Sequence, residues 1–430
     1  MANVNKSGTT WIDVTMLVNW SGQLTGIQRV EYNLAHRFAQ KAYAKFCVFD
    51  KASRGFFEYD FSHIEFKIAA LQVTGLEVTK AELGSTRSRY VYVLYRRLAP
   101  YLPRGAKRLI RAVQRMLRRQ PKQTNEQAQL IKFEKNDKLI ILSGDWSDDV
   151  FATMVTSLKR EQSFKIVQIV YDLLPAVQPA FFVPGMLEQV SNYMEAIFSV
   201  SDQILAISEA TKKDIQFFQK SKNLASCAVN VFRLGEDFVE GESLKPQLAI
   251  EPGKFILSVG TVEARKNHIA LYYMVREAIR SNINLPTIVI AGKQGWLVDN
   301  LLYIVKNDPI ISKKIIFLHN GTDSEIAWLY QNCLFTLYQS FYEGWGLPIS
   351  ESLFYGKLCL ASNTSSMPEI AGDLVHYYSP NNPSEILKSI VKYLKEPLLL
   401  KEREQKIKEQ YVLTSWDATF NQVEDYLLKI

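Results

Sequence analysis

The sequence predicts an α/β protein with two Rossmann-like, doubly wound domains of similar size. Short apolar runs rich in valine, isoleucine and phenylalanine alternate with helical stretches throughout the 430 residues, which is typical of parallel sheets built from βαβ units. A chain of this length is too long to fold around a single hydrophobic core, so two or three domains are expected. The third observation is an acidic segment, residues 236–253, which has two prolines, two glycines and no helical or strand periodicity. We predict that this segment links the two domains.

Six strands are predicted on each side of the linker. In the first half they lie near residues 11–17, 45–49, 139–142, 165–170, 203–207 and 228–232. In the second half they lie near residues 254–259, 287–291, 314–318, 334–338, 358–361 and 375–377. A ligand is expected between the domains, at the carboxyl ends of the strands.

Three segments follow from this pattern. Residues 1–236 form an N-terminal Rossmann-like domain and residues 237–414 form a C-terminal Rossmann-like domain. Residues 415–430 place Trp416, Phe420 and Val423 at helical spacing. We predict a C-terminal helix there that packs back on the first domain.

The composition excludes several classes of protein. Hydrophobic residues make up 47% and charged residues 22% of the chain, which argues against disorder and low complexity. The four cysteines are far apart and form no CxxC pair, so neither a disulfide framework nor a structural zinc site is expected. No apolar run approaches the roughly 20 residues that span a bilayer, and the first ten residues lack a signal-peptide core. We therefore expect a cytoplasmic protein.

The basic charge is concentrated in one segment. Residues 96–119 contain nine basic side chains and no carboxylate, and the rest of the chain carries 42 basic against 44 acidic residues. Within this segment, residues 106–119 read AKRLIRAVQRMLRR, which is the pattern of a basic amphipathic helix. Such a helix binds an anionic membrane surface, and this predicts peripheral attachment to the inner face of the cell membrane. The alternative is a surface helix whose apolar stripe packs on its own domain. Few aromatic residues accompany the cations, so no nucleic-acid partner is expected.

The most informative motif is residues 340–357, SFYEGWGLPISESLFYGK. A strand leads into a loop with Gly344 and Gly346, and Pro348 lies near the start of the following helix. Backbone N–H groups at such a helix start bind anions, and the glycines allow a phosphate or a sugar to approach the chain. Glu343 and Glu351 lie eight residues apart, so one carboxylate can meet a sugar while the other accepts hydrogen bonds from vicinal hydroxyls.

The second motif is residues 257–268, LSVGTVEARKNH, in which a strand runs into Gly260 and then into a charged loop. Arg265 and Lys266 fall at a helix start, where the macrodipole disfavours cations. A diphosphate would compensate them, since a guanidinium binds two oxygens and an ammonium acts as a point charge. A solvated charged turn is the alternative reading. His268 could reach a phosphate or serve in packing or capping.

Together these motifs resemble the family 4 glycosyltransferases, which are retaining enzymes of the GT-B type. That family has two glutamates separated by seven residues and an upstream Gly…Glu-Pro-Arg-Lys-Asn loop, which correspond here to residues 343–351 and 260–267. Further similar segments are AGKQGW (291–296), MPEIAGD (367–373), ILAISEATKKDI (204–215), LTGIQRVEYNLA (24–35) and VYDLLP (170–175). The resemblance spans nearly the whole chain and implies the GT-B architecture with an interdomain cleft. It also implies that the N-terminal domain binds the acceptor and that the C-terminal domain binds the nucleotide sugar.

The resemblance also implies roles for particular residues. Arg265 and Lys266 would hold the diphosphate, Glu351 the ribose, and Glu343 the donor sugar, while Asp172 would face the donor sugar or the acceptor hydroxyl. The catalytic set is then Arg265, Lys266, Glu343 and Asp172. The implied donor-binding set is Gly26, Gly260, Gly292, Lys293, Gly344, Trp345, Gly346, Leu347 and Glu351, and the acceptor-binding set is Tyr171 and Ser208.

Three positions depart from the family pattern. Gln28 stands where many members have a second glycine, so phosphate contact from that loop is not expected. Tyr171 replaces a common histidine, and we assign no imidazole to the reaction centre. Thr261 lies near the position of an arginine seen in some members, which leaves Arg265 and Lys266 to supply most of the positive charge.

The expected activity is retaining, metal-independent transfer of a sugar from a nucleoside diphosphate sugar, with no cofactor. Asp148 and Asp149 are interpreted as a helix cap or surface charge rather than a metal site. GDP-mannose is the first choice of donor, and UDP- and dTDP-sugars stay open. The expected acceptor is a saccharide or lipid-linked oligosaccharide in O-antigen (lipopolysaccharide), capsule or exopolysaccharide synthesis. A nucleotide-sugar epimerase, a glycosyl phosphorylase and a non-catalytic sugar-nucleotide-binding module are the alternatives.

Overall fold

The computed structural model describes residues 8–21, 24, 26–74, 129–144, 146, 149–236 and 243–430. The predicted basic helix at residues 96–119 lies outside these ranges, as does Asp148. Contacts divide the described residues into two compact units, one within residues 1–145 and 153–166 and the other within 146–152 and 167–430. Among the described residues, no helix is both long and apolar enough to cross a membrane.

The first unit contains four strands in the order β3-β2-β1-β4. Strand β1 pairs in parallel with β2 and β4, opposing Ile12 to Phe46 and to Ile140, whereas β3 is antiparallel to β2. The strands are β1 (Thr10–Asp13), β2 (Ala44–Asp50), β3 (Gly55–Glu58) and β4 (Lys138–Ile141), and the helices are α1 (Thr15–Asn19), α2 (Ile27–Phe38) and α3 (Ser62–Thr74).

Two details of this unit differ from the prediction. The predicted strand at residues 11–17 ends at Asp13, because the Thr15 N–H and hydroxyl both donate hydrogen bonds to the Asp13 carboxylate and turn the chain into α1. Strand β3 was not predicted, since a hairpin of four-residue length gives little periodic signal.

Helix α4 (Asp149–Gln162) and strand β5 (Lys165–Val170) each have residues in both units. In the second unit, β5 is followed by β6 (Gln203–Ala206) and β7 (Ala228–Val231), and the three strands are parallel neighbours in that order. The helices between them are α5 (Leu174–Val177), α6 (Met186–Phe198) and α7 (Glu209–Ser221).

The second unit also contains a six-stranded parallel sheet in the order β10-β9-β8-β11-β12-β13. Its strands are β8 (Phe255–Val259), β9 (Thr287–Ala291), β10 (Ile315–Leu318), β11 (Thr336–Tyr338), β12 (Cys359–Ser362) and β13 (His376–Tyr378). Its helices are α8 (His268–Arg280), α9 (Asp299–Asn307), α10 (Asp323–Asn332), α11 (Leu347–Phe354), α12 (Met367–Ala371), α13 (Pro383–Lys395), α14 (Pro397–Gln410) and α15 (Trp416–Leu427).

The strand order of this sheet reverses between β8 and β11, which pair directly through Leu257 and Thr336. Ligands bind parallel sheets at such a switch point, outside the carboxyl ends of the strands. The two sequence motifs follow β8 and β11, so the topology brings both to the same edge of the sheet.

Hydrogen bonds join residues 167–236 to residues that follow the predicted linker. The Glu369 carboxylate on α12 accepts bonds from the Glu209 and Ala210 N–H groups at the start of α7, at 2.7 and 2.8 Å. Tyr426 and Thr419 on α15 donate to the Val231 and Arg233 carbonyls. The helix at the carboxyl terminus therefore contacts the chain at the end of β7. These bonds are the reason why the division into compact units differs from the boundary at 236/237, which stays a prediction.

Candidate functional site

The loop after β8 is fixed by backbone bonds to the loop after β9. The Val262 N–H donates to the Lys293 carbonyl at 2.8 Å, and the Gly295 N–H donates to the Val262 carbonyl at 2.9 Å. A short 3-10 helix, Ala264–Lys266, follows and ends at Asn267, whose side-chain amide donates to the Gln339 and Pro380 carbonyls. The two predicted cations therefore stand on a braced turn, close to the chain that leaves β11.

The structure brings Arg265 and Lys266 together on Glu343. An Arg265 Nη1–Glu343 Oε2 distance of 2.5 Å and a Lys266 Nζ–Glu343 Oε1 distance of 2.7 Å engage both carboxylate oxygens. Arg265 also donates to Glu263 at 2.6 Å, and Lys266 donates to the Tyr338 hydroxyl at 2.9 Å. Only about a tenth of the surface of the Arg265, Lys266 and Glu343 side chains is exposed. We call Glu263, Arg265, Lys266 and Glu343 the ion cluster.

Burial and pairing compete in the ion cluster. Burial raises the pKa of Glu343, but Arg265 and Lys266 outweigh it and hold this pKa at about 2. Burial lowers the pKa of Lys266, and the Glu343 carboxylate opposes that shift. Burial also raises the pKa of Glu263, against the effect of the neighbouring cations. Glu343 is therefore an ionised carboxylate at neutral pH, and it lies against both cations.

Asp172 lies close to the ion cluster. Burial raises its pKa, while the Leu174 N–H, which donates to Oδ1 at 3.1 Å, and the Arg265 charge lower it. Gly344 packs against the same segment, since a β-carbon at Gly344 would lie 2.4 Å from the Tyr171 carbonyl oxygen. Tyr171 and Asp172 therefore adjoin the loop after β11. A side chain at position 344 would prevent this close approach.

Three side chains that follow β12 hold the loop after β11. The Glu343 N–H donates to the Ser365 hydroxyl at 2.9 Å, and the Ser366 hydroxyl lies within hydrogen-bond distance of the Glu343 and Trp345 carbonyls. Thr364 donates to the Phe341 carbonyl. The buried Trp345 ring in turn lies under the Arg233 guanidinium, 5.4 Å from the ring centroid. The loop is thus fixed at both its backbone and its side chains.

Helix α11 begins at Leu347, directly after this loop. Gly346 has a φ of +134°, a conformation that other residues rarely adopt, and Pro348 occupies the first turn. Glu351 lies one turn into the helix, as predicted, and accepts a hydrogen bond from the Tyr330 hydroxyl at 2.8 Å. The two glutamates of the motif thus have separate partners, Glu343 among the cations and Glu351 beside a tyrosine.

The remaining predicted residues have other surroundings. Ser208 caps α7 by accepting from the Thr211 N–H, and Lys293 is exposed in the loop next to Gly292. Gly26, in the first unit, directly precedes α2. His268 is fully buried and burial lowers its pKa to about 3, which favours the packing role over contact with a phosphate.

Sequence reasoning missed several members of the site. Glu263 stood in the quoted motif without a role, although its position two residues before Arg265 was a usable signal. Ser365 and Ser366 follow β12, the neighbour of β11, so the strand order would have placed them beside the loop. The sequence did not identify Tyr338 and Tyr330 as site residues, because a tyrosine within an apolar run is ordinarily interpreted as a core residue.

Residues 240–411 match the family described as "Glycosyl transferases group 1". The serotype-specific mannosyltransferase WbdA of Escherichia coli is 26% identical over 284 residues, which are 61% of this chain and 34% of that protein. The O-antigen chain mannosyltransferase B of Escherichia coli is 32% identical over 145 residues, 33% of this chain and 37% of that protein. The chain thus spans about a third of the length of these curated relatives.

Solved structures show the same fold. Anabaena HepE in complex with UDP matches with a TM-score of 0.58 and 12% identity, covering 98% of this chain and 100% of that one. The lipopolysaccharide outer core galactosyltransferase WaaB matches with a TM-score of 0.52 and 14% identity, covering 97% and 99%. These similarities confirm the predicted GT-B fold class. The ion cluster and Glu351 lie within residues 240–411, the segment that matches the glycosyl transferases group 1 family.

Proposed function

We propose that this chain is a retaining glycosyltransferase that moves a sugar from a nucleoside diphosphate sugar to a saccharide or lipid-linked saccharide acceptor. The observation that carries the proposal is the ion cluster at the carboxyl ends of β8 and β11, inside the segment that matches the family. Buried cations at a switch point suit an anionic ligand.

In this proposal Lys266 and Arg265 bind the diphosphate of the donor. The Lys266 ammonium is a point charge with three donors, and the Glu343 carboxylate opposes the lowering of its pKa by burial. Glu343 and the Gly344–Leu347 backbone meet the donor sugar, and Glu351 accepts hydrogen bonds from the ribose hydroxyls. Gly260, Gly292 and Lys293 flank the phosphates, and Gly26 is assigned to the donor by the resemblance alone.

The chemical step needs stabilisation of a leaving diphosphate. As the anomeric C–O bond breaks, negative charge grows on the diphosphate and the sugar becomes oxocarbenium-like. Cations that are already fixed by Glu263, Glu343 and Tyr338 stabilise that charge without reorganisation. The acceptor attacks from the face that the diphosphate leaves, and a diphosphate oxygen takes its proton, so no protein base is required. Asp172, Tyr171 and Ser208 are assigned to the acceptor side.

We propose mannose as the sugar and GDP as the nucleotide. The support is the similarity to the two Escherichia coli mannosyltransferases and the loop sequences at residues 260–267 and 291–296. UDP- and dTDP-sugars are the competing donors. We further propose a metal-independent reaction in O-antigen, capsule or exopolysaccharide assembly, by a cytoplasmic protein attached through residues 96–119 to the inner face of the membrane.

The test is an assay of the purified chain with GDP-mannose, UDP-glucose and dTDP-glucose, each with and without mannose-containing acceptors and with EDTA. We expect acceptor-dependent release of GDP, unchanged by EDTA, and an α-linked product by NMR. A new sugar nucleotide would instead indicate an epimerase, and dependence on inorganic phosphate a phosphorylase. Binding without turnover of any donor would indicate a non-catalytic module.

A further inference from the structure

Four aromatic side chains meet beside the ion cluster. Trp296 comes from the loop after β9, Phe341 from the loop after β11, and Phe181 and Phe182 from the segment between α5 and α6. The Phe181 and Phe341 rings stack at 5.0 Å with an interplanar angle of 8°, and the Phe182 and Trp296 rings lie 6.1 Å apart at 38°. We call these four residues the aromatic patch.

The indole of Trp296 is fixed and still accessible. Its Nε1–H donates to the Phe181 carbonyl at 2.8 Å, while 36% of the residue stays exposed to solvent. The polar edge of the ring is therefore satisfied by the protein, and what the indole offers a ligand is its apolar face. A large ring held in this way loses little side-chain entropy on binding.

The backbone next to Trp296 supports a binding role. Leu297 has a φ of +58° and is 53% exposed. A left-handed conformation is costly for a bulky residue, by about 1–2 kcal/mol, and such strain clusters at ligand-binding sites. Leu297 is only half covered by the protein, so its own packing offsets little of this cost, and we attribute the strained turn to the orientation that it gives to Trp296.

The aromatic patch is joined to the ion cluster through the backbone. The Ala264 N–H donates to the Trp296 carbonyl at 3.3 Å, and the Phe341 N–H donates to the Arg265 carbonyl at 2.9 Å. The patch thus shares two hydrogen bonds with the turn that carries the cations. A ligand on the indole would lie at the edge of the proposed donor site.

We propose that the aromatic patch binds the saccharide end of the acceptor, with a pyranose ring stacked on the Trp296 indole. This inference rests on the proposed function and gives the substrate class of its second subsite. The C–H bonds on one face of a pyranose are polarised by the ring oxygens and meet the negative face of the π-system. The hydroxyls stay free at the ring edge, where one of them is presented to the donor.

The experiment measures saccharide binding without nucleotide. Methyl α-D-mannopyranoside is titrated into the full chain and followed by saturation-transfer NMR, for the wild type and for Trp296→Ala, Trp296→Phe and Tyr303→Ala. We expect millimolar binding that weakens at least tenfold in Trp296→Ala and at most threefold in Trp296→Phe, which keeps an aromatic face. Tyr303 is a matched control, since it is 68% exposed on α9 and belongs to neither the patch nor the ion cluster.

The inference is overturned if the wild type does not bind the mannoside, or if Trp296→Ala binds it equally well. With a working transfer assay, Trp296→Ala should raise the KM for the acceptor at least tenfold and leave the KM for the donor within twofold; a raised donor KM alone refutes the acceptor assignment. The proposed function fails separately. If the chain binds the mannoside through Trp296 but transfers sugar from none of the nucleotide sugars, the saccharide-site inference stands and the proposed transferase function is wrong.

Discussion

At the scale of single residues, Glu343 is the centre of the site. Together with Glu263 it compensates two buried cations, so removing any one of these four charges leaves an uncompensated charge in a buried place. The two cations that stabilise the ionised Glu343 carboxylate provide the environment that a diphosphate requires. This arrangement gives the predictions for Lys266 and Glu351 a common physical basis.

We predict that Lys266→Met lowers kcat by about 10²–10³-fold, the usual effect of removing one preorganised electrostatic group. Methionine keeps the apolar stem of the side chain and removes only the ammonium. The measurement is the steady-state rate with the donor that the wild type uses. Lys306→Met on α9 is the exposed control and should keep wild-type rates. A Lys266→Met variant with full activity would remove Lys266 from the mechanism.

We predict that Glu351→Ala weakens binding of the free nucleoside diphosphate at least tenfold. The carboxylate would no longer accept hydrogen bonds from the ribose. Isothermal titration with GDP and UDP gives the affinity. Tyr330→Phe keeps the carboxylate and removes only the hydrogen bond donated to it, so its loss of affinity should be smaller. Equal affinity of Glu351→Ala and wild type would exclude the ribose role.

Asp214 makes stability depend on pH. Burial raises its pKa from 3.8 to about 6, although the Tyr342 hydroxyl, at 2.8 and 2.9 Å from its two oxygens, lowers it. Because the folded state holds a proton that the unfolded state has lost, this group lowers stability progressively as pH rises from about 4 to about 6. We predict that the melting temperature of Asp214→Asn minus that of the wild type is larger at pH 7 than at pH 4.5.

Tyr342→Phe provides the matched variant for this prediction. It removes the hydrogen bond that stabilises the ionised carboxylate, so its melting temperature should fall further below wild type at pH 7 than at pH 4.5. Differences in melting temperature that do not change with pH, in both variants, would show that Asp214 does not titrate in this range.

At the scale of elements, the loop after β11 depends on close approach of two backbones. We predict that Gly344→Ala lowers kcat/KM at least tenfold, because a β-carbon would lie 2.4 Å from the Tyr171 carbonyl oxygen and 3.0 Å from the Asp172 β-carbon. The shifted loop would carry Glu343 away from Arg265 and Lys266. Steady-state kinetics and a melting curve separate this effect from unfolding.

Gly253→Ala is the control for Gly344→Ala. Gly253 has a φ of +70° and no neighbour within 4 Å of an added β-carbon, and it precedes β8 at the end opposite to the ion cluster. It should cost stability, by about 1 kcal/mol, and leave the kinetic constants unchanged. If both variants lose activity equally, general destabilisation rather than loop displacement is the cause.

The sequence predicted the bounds of a strand or helix well where its hydrophobic pattern is strong. Strands β5 and β9 have the predicted bounds, because long apolar runs between turns leave little choice. The start of α1 and strand β3 were not predicted, since each depends on a side-chain bond or a hairpin contact that periodicity does not report. The motif resemblance assigned Glu343 and the two cations to one ligand but did not predict the ion pairs between them. Glu263 could have been found from its place two residues before Arg265, whereas Ser365 and Ser366 could be placed only with the strand order.

At the scale of the whole molecule, the basic charge is concentrated in one segment. We predict that replacing Arg108, Arg111, Arg115 and Arg118 by glutamine reduces cosedimentation with phosphatidylglycerol vesicles at least tenfold. Each cation near an anionic surface contributes about 1 kcal/mol. Transfer to a water-soluble acceptor should be unaffected. The residues lie outside the described ranges, so this prediction rests on the sequence.

Neutral phosphatidylcholine vesicles and a salt series are the controls for the vesicle experiment. Binding by wild type should be weak on neutral vesicles and fall as ionic strength rises. Undiminished binding of the glutamine variant to anionic vesicles would favour the alternative that the segment packs on its own domain.

The Glu369 carboxylate at the start of α7 has a consequence for deuterium uptake. First-turn amides of a helix have no intrahelical acceptor and ordinarily exchange rapidly with water. The Glu209 and Ala210 amides are instead bound by Glu369 from a distant part of the chain, so their exchange should be slow and should become fast in Glu369→Ala, which removes both acceptor oxygens. The two amides therefore report, from within one helix, whether the residues before and after the linker stay joined while the protein works.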